Sequence, residues 1–315
     1  MIISASRRTD IPNYYSSWFL NRIREGFVLV RNPVNPHQVS RISLAPEAVD
    51  CIVFWTKNPE PMLERLGELK EYPFYFQFTL TPYGRDVEEN VPHKKDRMIP
   101  VFKRLSQMIG GERVVWRYDP ILFSGRYTPQ YHLQAFKQIA EALRGYTDQC
   151  VISFVDTYAK NRKELQALGI YDLPEEELAE FAGKLGQMAA ENGMEIGSCA
   201  ERMDLAPYGI CHNSCVDQKK IEKILGCSIR AAKDRNQREA CGCIESIDIG
   251  AYNTCQNGCR YCYANAGAGA AALKRREYDP DSPLLCSHIL EGDRITDRKV
   301  KSLKEEQLSL EGIEE

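Results

Sequence analysis

Along the first two thirds of the chain, short apolar runs rich in β-branched and aromatic residues alternate with amphipathic stretches. That alternation is the pattern of βα units built on a parallel sheet. Strands are expected over 2–6, 51–56, 74–80, 114–118, 150–155 and 195–199, with a hairpin across 27–44. Helices are expected over 14–25, 60–70, 95–109, 130–144 and 175–192, where apolar residues recur at helical spacing and Pro or Gly marks several ends. Beyond residue 199 the alternation gives way to a segment punctuated by cysteines, with a helical piece at 217–225. A further strand-like run, 246–252, leads directly into a cysteine loop, and 264–275, rich in Ala and Gly, reads as a helix.

This order divides the chain into (β/α) barrel units over 1–200, a cysteine-rich insertion over 201–245, a strand with cysteine loop and helix over 246–300, and a flexible charged tail over 301–315. A chain of 315 residues suits an α/β barrel with a small appendage. In such folds chemistry collects where strands end and loops begin. Here each strand end is polar, from the run Ser4 to Asp10 through Thr56-Lys57-Asn58, Thr79, Arg117-Tyr118-Asp119 and Asp156-Thr157 to Glu201. Together these predict a pocket on one rim.

Composition narrows the partners. With Lys+Arg 41 against Asp+Glu 44 the net charge is -3, which gives no general attraction for polyphosphate or an anionic membrane. That weighs against a nucleic-acid partner without excluding one. No apolar run reaches bilayer length and residues 1–5 are too short for a signal-peptide core, so a cytoplasmic protein is expected.

In a reducing compartment, twelve cysteines, most of them between Cys199 and Cys262, point to metal rather than to disulfides. Cys255, Cys259 and Cys262 stand at C-x3-C-x2-C with Tyr261 before the third. Three thiolates on a [4Fe-4S] cluster leave one iron without a protein ligand, whereas structural zinc takes four ligands and is closed. Soft thiolates suit iron-sulfur binding, and Gly258 lets the loop curl. A zinc knuckle that borrows Cys243 or His288 is the competing reading. Cys199, Cys215, Cys241 and Cys243 form a second candidate group, for an auxiliary [4Fe-4S] cluster or for zinc, with Cys211 and His212 competing for one place. Cys51, Cys150, Cys227 and Cys286 read as packed free thiols. Arg7, Arg8 and Asp10 could grip an anion or form a loop salt bridge. Five scattered histidines give a zinc hydrolase no support.

The motif C-x3-C-x-aromatic-C after a strand resembles that of the radical S-adenosylmethionine (SAM) superfamily, and residues 259–265, Cys-Arg-Tyr-Cys-Tyr-Ala-Asn, are similar to the form in spore photoproduct lyase and its relatives. Weaker likeness runs from Thr56-Lys57-Asn58-Pro59 through 78–81, Glu88, Pro92 and Arg97 to residues 117–121. The resemblance implies a [4Fe-4S] cluster on Cys255, Cys259 and Cys262, with SAM chelated at the open iron and cleaved to a 5'-deoxyadenosyl radical that takes hydrogen from an unknown substrate. It implies a flavodoxin or ferredoxin type electron donor, Tyr261 near the adenine, and some of Thr79, Arg117 and Asp119 near the ribose or methionyl groups. In that superfamily the cysteines usually sit on the first barrel strand, near the N-terminus. Their late position here resembles an uncharacterised bacterial family with the cysteines at the C-terminus. The implied fold is a permuted (β/α) partial or complete TIM-like barrel, with 246–252 as first strand and 2–6 as second. Gly110-Gly111-Glu112 lies at a helix end, before a strand, and reads as a helix stop. Two other functions are weighed against this one. They are a non-catalytic zinc or iron-sulfur protein, and a photoproduct-lyase-like DNA repair enzyme, which would need a basic groove.

Overall fold

The computed structural model describes residues 1–305, apart from the side chain of Ala268; the remainder of the expected tail, 306–315, lies outside them. The elements are, in chain order, β1 (Ile2–Ala5), α1 (Ile11–Tyr14), α2 (Ser16–Glu25), β2 (Phe27–Arg31), β3 (Gln38–Ser43), β4 (Cys51–Thr56), α3 (Glu60–Leu63) and β5 (Phe74–Thr79). Next come α4 (Ile99–Ile109), β6 (Val114–Ile121), α5 (Pro129–Leu143), β7 (Gln149–Phe154), α6 (Arg162–Ala167), α7 (Glu175–Glu191) and β8 (Glu195–Cys199). Last are β9 (Cys211–Asn213), α8 (Gln218–Leu225), β10 (Ile247–Asp248), α9 (Ala268–Arg275) and β11 (Arg294–Asp297).

An eight-stranded sheet runs in the order β10-β1-β4-β5-β6-β7-β8-β9, and every neighbouring pair is parallel. Its order never reverses, so it has none of the switch points of a doubly wound sheet. One strand breaks chain order. β10, late in the chain, pairs with β1 through Ile3–Ile247 and Ser4–Asp248, the place expected for the run 246–252. It is shorter than that run because the Asp248 carboxylate accepts the Gly250 N–H at 3.0 Å, a local turn that ends the pairing. The sheet remains open, with β9 and β10 as its edges. The expected hairpin forms from β2 and β3, and β11 completes a separate three-stranded sheet.

Because strand side chains alternate between faces, each strand feeds two cores. Ile3, Ile52, Phe54, Phe76, Phe78, Trp116 and Ile152 meet Trp18 and Phe19 of α2, Phe102 of α4, Phe136 of α5 and Phe181 and Leu185 of α7. Their neighbours Ile2, Cys51, Val53, Tyr75, Val115 and Val151 turn to the other face, where Val216, Ile221, Ile229 and Ile244 cover them. The cysteine-rich segment thus fills the inner face of the sheet, at the early part of the strands. With both faces buried, the strands read as nearly continuous apolar runs.

Several elements differ from expectation for local reasons. The helix 14–25 divides at Tyr15, because Asp10 caps a separate first turn by accepting the Asn13 N–H. The stretch 60–70 forms α3 and a 3-10 turn, Leu66–Leu69. The helix 264–275 begins only at Ala268, since Asn265 donates to Cys255 O and the Ala266 N–H to Asn253 Oδ1. Cys51, Cys150 and Cys286 are buried as expected, whereas Cys227 is only half-buried, just past Gly226, the C-cap of α8.

His132 of α5 is buried in the helix-side core. Its Nδ1 lies 2.8 Å from the Tyr118 hydroxyl and its Nε2 2.9 Å from Leu122 O, which assigns the neutral tautomer protonated at Nε2. Burial lowers its pKa to about 4, against a smaller upward pull from Leu122 O. An unfolded histidine titrates near 6.5, so folding expels a proton as the pH falls below that value. Stability should be complete above about pH 6.5 and decline toward pH 4, by up to about 3 kcal/mol. Melting temperature against pH checks this, and His132→Asn should flatten that limb.

Candidate functional site

At the carboxyl ends of the strands lies a cavity of about 550 Å³, within the roughly 300–1,000 Å³ usual for small-ligand sites. Asp248 of β10, Ser6 after β1, Thr56 of β4, Thr79 of β5, Arg117 and Asp119 of β6, Ser153 of β7 and Cys199 of β8 all reach its wall. Cys255, Cys259, Cys262, Cys215, Cys241, Cys243 and Tyr261 line it as well. Cys211 and His212 are exposed on β9 and His288 is exposed elsewhere; none of the three is on the wall.

The loop after β10 is held from several sides. Thr254 is buried, and its carbonyl accepts the Tyr15 hydroxyl at 2.6 Å. Asn257 donates to Asp10 Oδ2 at 3.0 Å and accepts from the Tyr14 hydroxyl at 3.0 Å. The Asn90 N–H donates to Asn257 O at 3.1 Å and the Arg260 N–H to Val87 O at 3.0 Å, so the loop lies against residues 87–90 with Cys259 bridged to Glu88. Gly258 has φ +67°, and a Cβ there would stand 2.9 Å from the Glu89 Cβ. Only glycine fits this turn. The Ala264 N–H donates to Cys262 Sγ at 3.3 Å. Burial raises the pKa of all three thiols, that of Cys255 to about 12, with Asp10 and Cys262 adding to it. Lys57 pulls Cys259 and Cys262 the other way.

Three carboxylates organise the surroundings, Glu88 and Asp10 buried and Asp248 half-buried. Glu88 accepts from Lys57 Nζ at 2.7 Å, Lys94 Nζ at 2.5 Å, Thr81 Oγ1 at 2.7 Å and the Tyr261 hydroxyl. Burial would raise its pKa, but the two lysines outweigh burial and lower it to about 2. Asp10 ties three loops together, since it also accepts the Lys57 N–H at 2.8 Å. Asp248 accepts from Ser4 Oγ at 2.8 Å, Ser6 Oγ at 2.7 Å and the Arg7 N–H at 2.8 Å, which fixes the run that follows β1. Arg7 lies over the Trp55 ring at 4.9 Å and Arg8 over Tyr252 at 5.0 Å.

Across the cavity, the sulfurs of Cys199 and Cys215 are 3.3 Å apart. Cys241 and Cys243 line the same wall, and Cys243 Sγ accepts the Val216 N–H at 3.3 Å. Arg117 donates to Asp119 Oδ2 through Nε at 2.9 Å, to Gln77 Oε1 at 3.2 Å and to Cys215 Sγ at 2.8 Å. It stands between this group and the rest of the wall. All twelve cysteines are free, and among the described residues no three His, Cys, Asp or Glu side chains are already grouped to hold one metal ion.

Residues 2–264 match the family described as a domain of unknown function, DUF1848. The chain belongs to this family. The match covers most of the 315 residues and runs past Cys262, so both cysteine groups fall inside the DUF1848 domain. No curated protein matches the chain. Among solved structures, a Bacteroides thetaiotaomicron VPI-5482 protein put forward as an alpha-L-fucosidase is similar at 12% identity, over 74% of this chain and 84% of that one. Its TM-score of 0.25 is too low to carry any argument about fold or activity. Within the described residues of this DUF1848 chain, no helix is long and apolar enough to cross a membrane.

Asp10 was visible in the sequence only as part of a charged run, and Glu88 only as part of a likeness. Asp248 gave no signal, because a carboxylate that starts a loop looks the same in sequence whether it faces water or four donors.

Proposed function

We propose that this protein is an iron-sulfur enzyme of the radical SAM kind. The observation that supports it is a loop bearing three cysteines on the wall of a ligand-sized cavity at the strand ends. Of the two candidate fourth ligands of a zinc knuckle, His288 lies away from the cavity wall, and Cys243 Sγ already accepts the Val216 N–H at 3.3 Å. The strand order adds weight, because β10 beside β1 gives a permuted barrel sheet its first and second strands.

Cys255, Cys259 and Cys262 would hold a [4Fe-4S] cluster with one iron open to SAM. When bound, the pair supplies a 5'-deoxyadenosyl radical on one-electron reduction by a flavodoxin or ferredoxin type donor. The chain's own residues prepare the place. Lys57 and the Ala264 N–H offset thiolate charge. Glu88 holds the Tyr261 hydroxyl, and Tyr83 packs at 6.0 Å, so the Tyr261 ring is fixed on the cavity wall. Arg117 is committed to Asp119 and Cys215, which makes it a positioning group for the Asp119 carboxylate, while Thr79 lines the cavity where a ligand would sit. Arg7, Arg8, Arg117 and Arg238 share the wall with Asp10, Asp119, Asp156 and Asp248, a mixed surface rather than the basic one that duplex DNA takes.

Equilibrium dialysis against SAM tests the reading. The anaerobically reconstituted protein is expected to retain SAM, and the same protein without iron to lose it. Equal retention by both, or by neither, would contradict the proposal.

A further inference from the structure

We infer that Cys199, Cys215, Cys241 and Cys243 are the ligands of a single tetrahedral metal ion, a structural zinc site separate from the three-cysteine loop. This goes beyond the radical reading, because it requires neither SAM nor Cys255, Cys259 and Cys262.

The four sulfurs come from three places: the end of β8, the turn after β9 and the approach to β10. Cys215, Cys241 and Cys243 are buried and Cys199 half-buried. As they stand, Cys199 and Cys215 are 3.3 Å apart and all four line one cavity wall, without yet forming a shell around one point. Rotation about cysteine side-chain bonds separates the two arrangements.

Packed neutral thiols are the ordinary alternative, and the charges around them argue against it. Arg117 donates to Cys215 Sγ at 2.8 Å, and Arg7 shares the cavity wall with Cys215 and Cys243. A guanidinium turned toward neutral sulfur in a buried site carries an uncompensated desolvation cost. Arg117 has Asp119 to offset this; Arg7 has a 4.0 Å approach to Asp234, the charge of Asp248 and a bond from Nη1 to Ser246 Oγ at 3.2 Å, while its buried Nη2 has no hydrogen-bond partner among the described residues. Four thiolates on a divalent ion carry a net charge of about -2, toward which the guanidinium of Arg117 already donates and beside which Arg7 lies. Binding releases the four thiol protons to solvent, and no electron is exchanged. The Val216 N–H, 3.3 Å from Cys243 Sγ, is a further donor to a charged sulfur.

Spacing selects one ion over a cluster. Sulfurs on one tetrahedral zinc, at bonds of about 2.3 Å, stand roughly 3.8 Å apart. Cys199 and Cys215, at 3.3 Å, are near that spacing, whereas thiolates on separate irons of a cubane stand farther apart, so the pair needs the smaller movement to meet one ion. No hydrogen bond joins Cys255, Cys259 and Cys262 to one another, as befits thiols meant for separate irons. The proposed ion would clamp the cysteine-rich segment onto the inner face of the sheet and set Arg7 and Arg117 on the cavity wall.

The test uses the full chain carrying Cys255→Ala, Cys259→Ala and Cys262→Ala, so that its outcome is independent of SAM chemistry. After purification and dialysis against EDTA, metal analysis is expected to find about one zinc per chain and no iron. Adding Cys215→Ser and Cys243→Ser should abolish the zinc. Because those variants could fail to fold, cobalt is also exchanged into the folded triple variant. The intense absorption of tetrahedral cobalt thiolate is expected, and an octahedral spectrum would overturn the proposal. So would zinc lost to EDTA, about four irons with matching sulfide after reconstitution, or a metal-free protein with a Cys199–Cys215 disulfide.

Discussion

Reconstituted Cys259→Ala protein is expected to carry about four fewer irons per chain than the parent, the content of one [4Fe-4S] cluster. Two remaining thiols cannot hold a cubane that needs three. The substitution is a clean one, because the backbone at Cys259 is bridged to Glu88 and the neighbouring Arg260 N–H is bonded to Val87 O, contacts that an alanine preserves. Iron and acid-labile sulfide should therefore fall together while the circular dichroism spectrum stays unchanged. Iron content equal to the parent's would remove Cys259 from the ligand set.

A larger effect on stability is expected at Glu88. Its carboxylate is buried between Lys57 and Lys94, whose side chains are only 11% and 15% exposed. Burial opposes the charge of both lysines; Glu88 outweighs it at Lys57 and falls short at Lys94. Glu88→Gln keeps the shape and leaves two buried ammonium groups without a counter-charge, a change that typically costs 3–5 kcal/mol, or on the order of 10 °C in melting temperature. The pH dependence has a definite sign. With the folded pKa lowered to about 2, the ion pairs contribute fully above the unfolded value near 4.3 and are lost as the pH falls toward 2. Loop order should suffer too, since the Tyr261 hydroxyl donates to the same carboxylate. A melting temperature within 2 °C of the parent's, in a calorimetric scan at pH 7, would show that the charge network is not what holds this corner.

Much of the sheet was legible because parallel strands buried on both faces give apolar runs that polar strand ends interrupt. Phe74–Thr79 and Cys51–Thr56 are examples, and both form close to the expected bounds. The polar ends were legible as a pocket for the same reason: in a sheet of parallel strands they share one side. β9, three residues at the sheet edge, and β11, exposed throughout, bury too little to leave a pattern. The position of the segment 201–245 was not legible either. Val216, Ile221 and Ile244 show only that something apolar must be covered, and the face they cover is set by Tyr75 and Val115, far away in sequence. The cysteines announced themselves by spacing, whereas Asp10, Glu88 and Asp248 depended on partners that only folding brings near.

The account rests on the reactivity of the cavity at the Cys255–Cys262 loop. The decisive measurement is anaerobic incubation of reconstituted protein with dithionite and SAM, followed by chromatographic detection of 5'-deoxyadenosine, in parallel with the Cys259→Ala variant. Nucleoside formed by the parent and absent from the variant is the predicted result. No nucleoside from a parent that carries its full iron, or equal amounts from both proteins, would contradict the radical SAM assignment.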